Sequence, residues 1–87
     1  REPLEAYPLE NLRMVGTLQQ GKSTYALVKG PDNNLFRVKP GNYIGQNFGL
    51  ITTISESAIK LKEIVQDSTG DWTARESTIM LIDEGTK

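Results

Sequence analysis

Three glycines spaced four residues apart, Gly41, Gly45 and Gly49, are the most prominent candidate for chemistry in this sequence. A phosphate-binding loop needs the Gly-x-Gly-x-x-Gly spacing, or a glycine-rich loop ending in Lys and Ser or Thr, between a strand and a helix. Neither pattern is present, and the polar residues between the glycines exclude an apolar helix-packing motif. We therefore predict that the glycines are backbone bends. Three large residues among them are predicted to cover one end of the core: Tyr43, Ile44 and Phe48.

The sequence lacks the side chains most often used in catalysis and in transition-metal binding. It contains no His and no Cys, so neither a Ser-His nor a Cys-His pair can form. The acids are scattered beside turns and on polar faces, and Asp32 with the two asparagines after it matches a turn better than a calcium loop. We predict no catalytic residue, no cofactor and no metal site, and a protein that is not an enzyme.

The charge balance gives little support for binding to nucleic acid or to a membrane. Ten Lys or Arg against eleven Asp or Glu leave a formal net charge of −1, so no long-range field attracts polyanions. The alternative is a small barrel that binds single-stranded nucleic acid through basic and aromatic side chains on one face. The residues that could form such a face are Lys22, Tyr25, Lys29, Phe36, Arg37, Lys39 and Tyr43.

Short segments rich in β-forming residues, separated by turns, predict an all-β domain. Residues 12–19 alternate with a period of two, which places the even-numbered residues on one face and the odd-numbered residues on the other. Further strands are predicted at residues 24–28, 35–39 and 50–54. Consecutive strands joined by short turns indicate an antiparallel meander.

Two later segments are more ambiguous. Residues 58–65 fit one face of a helix as well as the alternation of a strand, and we favour a strand with a bulge at Glu63. Residues 72–82 are polar in the middle and apolar at the end, which predicts a long strand that bends or pairs with two different neighbours.

The predicted architecture is a small antiparallel β-sandwich, or a partly open barrel, of six to seven short strands. Residues 12–83 would form this domain, after an extended leader of residues 1–11 and before a C-terminal tail of residues 84–87. No segment approaches the about 18 apolar residues needed to span a bilayer. The chain begins at Arg1 without a methionine, so we expect it to be part of a longer protein with any anchor upstream.

The order and spacing of these features resemble the periplasmic domain of the PilP family, lipoproteins of type IV pilus assembly. The resemblance covers most of the chain, from about residue 9 to residue 81. No single motif is specific, but the order of the matching segments is. They are residues 9–18, 25–28, 38–49, 59–61 and 70–72, together with Ile54.

The resemblance implies a small β-sandwich that is not an enzyme and works in the periplasm. A lipidated N-terminal cysteine anchors the family in the inner membrane, and the extended segment after it binds the PilN–PilO pair. The β domain of the family binds the N0 domain of the outer-membrane secretin PilQ, much as the similar homology region of GspC binds the secretin GspD. Neither the cysteine nor most of the extended segment matches any residue here, and only residues 1–11 are expected to be its tail.

Two surfaces are candidates for the secretin contact. By analogy with the related secretion domain, the first strand is one of them, through Val15, Thr17 and Gln19. An exposed edge at this strand would suit strand-to-strand docking, although Val15 could equally belong to the core. The second candidate consists of Arg37, Lys39 and Tyr43, because Arg and Tyr are favoured at interfaces, although ordinary solvation explains that face as well.

Overall fold

The computed structural model of the protein describes residues 2–82, and these residues form an all-β domain, as predicted. Two short 3-10 helices, Pro3–Ala6 and Leu9–Asn11, precede seven strands. The strands are β1 (Arg13–Gln20), β2 (Ser23–Lys29), β3 (Leu35–Val38), β4 (Tyr43–Ile44), β5 (Gly49–Ile54), β6 (Ala58–Gln66) and β7 (Trp72–Met80). Residues 58–65 are therefore a strand, as favoured from the sequence.

The strands form two antiparallel sheets, a three-stranded sheet in the order β1-β2-β3 and a four-stranded sheet in the order β4-β5-β6-β7. Each sheet is a meander, because every strand pairs with its neighbour in sequence. A single apolar core holds the sheets together. Its buried members are Leu4, Leu12, Met14, Ala26, Val28, Val38, Ile44, Ile51, Ile59, Leu61 and Ile79.

A β-bulge at Val15 overturns the predicted faces of β1. Met14 lies opposite Val28 but Gly16 lies opposite Leu27, so one residue of β1 is left without a partner on β2. An extra residue reverses the alternation that follows it. Beyond the bulge, Leu18 therefore points outward and is 39% exposed, although the sequence placed it on the same face as Met14.

The end of β7 meets β1. Among residues 2–82, β7 itself pairs only with β6 along its length, and the next residue, Leu81, forms an isolated parallel bridge with Met14. The Ile82 N–H donates to the Met14 carbonyl at 2.9 Å. The second neighbour predicted for this segment is thus β1, reached just after the strand ends.

The predicted bulge at Glu63 is wrong. β6 runs in unbroken register with β7, and Glu63 lies directly opposite Arg75. Its side chain faces inward and is 1% exposed. The phase of the alternation is kept because the carboxylate finds polar partners inside the sandwich, so the strand does not have to turn it outward.

The N-terminal segment differs from the predicted extended leader. Leu4 is 2% exposed and belongs to the core, and its carbonyl accepts the Gly45 N–H at 3.1 Å. The Glu2 carboxylate accepts the Tyr43 N–H at 3.0 Å. Pro3 suits the first turn of a helix, because its fixed φ is helical and its missing N–H is not needed there. The predicted tail of residues 84–87 lies outside the described residues.

The glycine-rich stretch lies at the junction of this leader and the four-stranded sheet. Gly41 and Gly45 have φ of 97° and 78°, a region that L side chains rarely adopt. Ile44 is fully buried, but Tyr43 is 38% exposed and Phe48 is 60% exposed. The prediction that all three large residues cover the core is therefore wrong for Tyr43 and Phe48, because Leu4 and Leu9 of the leader pack there.

Candidate partner-binding surfaces

β1 has an outer edge that is open over most of its length. The strand pairs with β2 on one side, and the Leu81 bridge and the Ile82 hydrogen bond occupy the other side at Met14. Within residues 2–82, no further strand pairs with that side, so the edge is open at residues 16–20. An open edge offers backbone N–H and C=O groups to an added strand.

The three residues predicted on β1 share the strand but not one face. Val15 is the bulged residue and is half-buried. Thr17 lies opposite the buried Ala26, and Gln19 lies opposite Thr24, whose hydroxyl donates to the Gln19 side chain at 3.2 Å. Both Thr17 and Gln19 are exposed, so an added strand would meet their side chains as well as the backbone edge.

The second predicted set is divided by the structure. Arg37 of β3 and Tyr43 of β4 border one small depression of about 80 Å³ between the two sheets. Lys39 lines a different cleft, of about 420 Å³, which it shares with Lys22. Arg37 and Tyr43 are thus brought together, and Lys39 is not.

The outer face of the three-stranded sheet brings together residues that were not predicted to share a face. Arg37 stacks on Tyr25, with its guanidinium carbon 4.7 Å from the ring centroid, and donates to the Gln20 side chain at 3.1 Å. The cross-strand register puts further residues on this face. We call the set the basic face: Arg13, Leu18, Tyr25, Leu27, Lys29, Leu35 and Arg37. To predict this face, one would have to know that the alternation reverses after Val15, and the sequence alone does not show that reversal.

The residue set of the nucleic-acid alternative does not share a face. Phe36 lies opposite Val28 and packs against the core, whereas Tyr25 and Arg37 point outward. Tyr43 belongs to the other sheet. The aromatic rings therefore do not line one groove, which is what stacking of successive bases requires.

Glu63 is the one buried acid among the described residues. One carboxylate oxygen accepts hydrogen bonds from Arg75 Nε at 3.2 Å, Arg75 Nη2 at 2.9 Å and the Ser77 hydroxyl at 2.6 Å. The Asn47 amide reaches the other oxygen at 3.5 Å. Burial alone raises the pKa of Glu63, but the bonds from Ser77 and Arg75, together with the arginine charge, hold it below its usual range.

The hydrogen-bonded cluster around Glu63 is better explained by a structural role than by a catalytic one. A cleft of about 860 Å³ opens beside it, between the second 3-10 helix and β7. The bonds that keep Glu63 ionised also reduce its basicity, so it is poorly suited to take up a proton. Within residues 2–82, no group of three acids is placed to hold a metal ion, and no helix has the length and apolar character to cross a membrane.

Comparison with known proteins gives a consistent result. Residues 1–81 match the family model described as pilus assembly protein PilP. The chain is 42% identical over 78 residues to the type IV pilus inner membrane component PilP of Pseudomonas aeruginosa. That match covers 90% of this chain but only 44% of the relative, so the chain spans less than half the length of that protein.

Solved structures agree with the sequence match. A domain of the type IV pilus biogenesis lipoprotein PilP from Pseudomonas aeruginosa superimposes with a TM-score of 0.82 at 41% identity, covering 93% of this chain and 92% of that one. A domain of the PilP pilot protein from Neisseria meningitidis gives 0.80 at 36% identity, covering 100% and 76%. With the family model and a close relative in agreement, the chain belongs to the PilP family of type IV pilus assembly proteins.

Proposed function

We propose that this domain is a non-catalytic periplasmic adaptor of the type IV pilus machinery. It links the inner-membrane PilN–PilO pair to the N0 domain of the secretin PilQ. Membership of the PilP family supports the pilus role, and the relatives are named as an inner membrane component and as a lipoprotein. In this proposal a lipid anchor holds the whole protein at the inner membrane, and an extended segment binds PilN–PilO.

The observation that carries the secretin contact is the open outer edge of β1 at residues 16–20. Strand addition uses backbone hydrogen bonds for affinity and the flanking side chains for specificity. Thr17 and Gln19 are exposed at this edge and are well placed to supply that specificity. The bulge at Val15 separates the open part of the edge from the part that Leu81 and Ile82 occupy.

The packed leader suits a tethered adaptor. Leu4 is buried in the core, and backbone and side-chain hydrogen bonds join Glu2, Leu4 and Ala6 to residues 43–46. A tether on the N-terminal side of these residues would therefore be joined to the body of the sandwich. Force applied to that tether would be transmitted to the four-stranded sheet through these contacts.

The test is a titration of the isotope-labelled domain with the N0 domain of the secretin, followed by NMR. We expect chemical-shift changes at residues 15–20. Thr17→Arg should weaken binding at least about tenfold, because a bulky charge at the edge obstructs an added strand. Thr53→Arg is the matched control, an exposed Thr on β5 of the other sheet, and should leave the affinity within about twofold.

Two results would count against the adaptor. Shift changes confined to residues 41–49 would move the contact away from β1 to the glycine-rich stretch. No binding of N0, together with salt-sensitive binding of labelled single-stranded DNA, would replace the adaptor with the nucleic-acid function.

A further inference from the structure

We infer that the basic face is a second part of the docking surface and that it receives an acidic patch of the protein partner. The inference rests on the proposed function, because the basic face adjoins the open edge of β1. Leu18 of β1 belongs to this face and lies opposite Tyr25. A partner strand added beside residues 16–20 would therefore bring the rest of its domain close to Tyr25 and Arg37.

Charge is divided unevenly between the two sheets. Residues 13–39, which form the three-stranded sheet and its turns, contain five Lys or Arg and one acid, Asp32. Residues 2–12 and 40–82 together contain three Lys or Arg and eight acids. The net charge of −1 hides this separation. A separation of this kind orients an incoming acidic surface toward one sheet.

Arg37 is held ready for a carboxylate. Its guanidinium is stacked on Tyr25 and bonded to Gln20, which restricts its rotamers before any partner arrives. Among residues 2–82, no carboxylate lies within ion-pair distance of Arg37 or Lys29. A fixed guanidinium retains donors in a planar fork that matches a carboxylate, and little entropy is lost when the pair forms.

The apolar part of the face favours a protein over a polyanion. Leu18 and Leu35 are 39% and 55% exposed, and the half-buried Leu27 lies directly opposite Arg37. Leucine side chains beside a Tyr–Arg stack resemble the mixed centre of a protein interface. Nucleic acid and anionic lipid are bound chiefly by many cations, and among residues 2–82 the strand register places three on this face, Arg13, Lys29 and Arg37.

The experiment measures the affinity of the secretin N0 domain for four forms of this domain by calorimetry, at about 50 and about 300 mM salt. The forms are the wild type, Arg37→Gln, Arg37→Lys and Lys62→Gln. Lys62 is exposed on the outer face of the four-stranded sheet, so Lys62→Gln removes the same charge at a position outside the proposed surface.

We expect Arg37→Gln to weaken N0 binding about five- to thirtyfold and to reduce its salt dependence. Arg37→Lys should retain part of the affinity, because lysine keeps the charge but loses the planar fork. Lys62→Gln should match the wild type within about twofold. Thermal unfolding of each form checks that the fold is kept.

The outcomes separate this inference from the proposed function. If wild-type protein does not bind N0, both are wrong. If the wild type binds and Arg37→Gln binds equally well, the acidic-patch inference alone is wrong and the β1 contact stands. If Arg37→Gln loses no more affinity than Lys62→Gln, the charge effect is non-specific and the inference also fails. Binding of the wild type to anionic vesicles or to single-stranded DNA that is lost in Arg37→Gln, without an effect on N0, would assign the face to those ligands instead.

Discussion

The two sheets use charged residues in opposite ways. In the four-stranded sheet, Glu63 points inward and every oxygen of its carboxylate is bonded, by Arg75, Ser77 and Asn47. In the three-stranded sheet, Arg37 points outward over Tyr25 without a carboxylate partner among residues 2–82. The first arrangement satisfies a buried charge, and the second leaves an ordered charge available to solvent or to a partner.

The edges of the sheets differ in the same way. The leader covers the four-stranded sheet near β4, where the Gly45 N–H donates to the Leu4 carbonyl, whereas β1 keeps an open edge beyond its contact with the end of β7. Both sheets contribute to the core, and we propose that polar interactions add specific stability chiefly to the four-stranded sheet, whereas the three-stranded sheet carries recognition. Changes in the first should alter unfolding, and changes in the second should alter binding.

The largest expected effect is that of Gly49→Val. A Cβ at this position would lie 2.5 Å from the Ile44 carbonyl oxygen and 2.7 Å from Leu61 Cδ1, so the backbone at β4 and the buried Leu61 side chain must both move. We expect a loss of about 3 kcal/mol or more in the free energy of unfolding, measured by urea denaturation. A single-domain protein of this size should lose more than about 10 °C in melting temperature.

The matched control is Gly16→Val in the three-stranded sheet. A Cβ there meets only Leu27 Cδ1, at 3.6 Å, which is an ordinary contact, and valine suits a strand. The loss should stay within about 1 kcal/mol. Equal losses at Gly16 and Gly49 would contradict the division of stability between the two sheets.

The second effect is that of Glu63→Gln. The amide loses the charge-assisted bonds from Arg75 and Ser77, which are worth about 1.5–3 kcal/mol when one partner is charged. We expect a loss of about 2 kcal/mol at neutral pH by urea denaturation. Glu76→Gln is the control on the same sheet, because Glu76 is exposed on the opposite face, and it should change stability by less than about 0.5 kcal/mol.

The same pair of variants gives a pH dependence whose sign follows from linkage. The pKa of Glu63 is lower in the folded state than in the unfolded chain, so its contribution is complete above the ordinary value of about 4.3. It is lost as the pH falls through the lower, folded pKa. The difference in stability between wild type and Glu63→Gln should therefore shrink below about pH 4. A constant difference down to about pH 2 would show that ionisation of Glu63 is not its source.

The third effect is that of Gly45→Val. Gly45 has a φ of 78°, and a Cβ would lie 3.2 Å from Leu9 Cδ1, so the variant suffers backbone strain and disturbs the leader. We expect a loss of about 1–2 kcal/mol, seen as a lower melting temperature, with N0 binding unchanged at temperatures where the variant is folded. Unchanged melting together with lost N0 binding would identify the glycine-rich stretch as a docking site.

The sequence was sufficient for the fold class because local signals decide it. Turns such as residues 30–34 separate short β-forming segments, and meanders pair neighbours in sequence. The position of a bulge is not local, because the extra residue at Val15 is defined only by which residues of β2 lie opposite. Because this extra residue was not predicted, Leu18 was placed on the wrong face of β1 and the basic face was not recognised.

Two further differences have the same origin in distant partners. Glu63 looks like a solvent-facing acid in sequence, but Arg75 and Ser77 arrive from the neighbouring strand and make burial possible. The leader looks extended, with two prolines and three acids, yet Leu4 finds a place in the core next to residues that follow about 40 positions later. The sequence could indicate Arg37 and Tyr43 as surface candidates, but not that Tyr25 supports Arg37.

The smallest expected change in stability is that of Leu18→Ser, and it tests the recognition half of the comparison. Leu18 is 39% exposed on the basic face, and Ile64 is 38% exposed on the outer face of the four-stranded sheet. Replacing either by Ser removes a similar apolar side chain from a similarly exposed site, so unfolding should change by a similar amount in both variants, about 1 kcal/mol. Only Leu18→Ser should weaken N0 binding, by about three- to tenfold, because only Leu18 would be covered by the partner. If Ile64→Ser weakens N0 binding equally, the outer face of the four-stranded sheet also takes part in docking, and recognition is not confined to the three-stranded sheet.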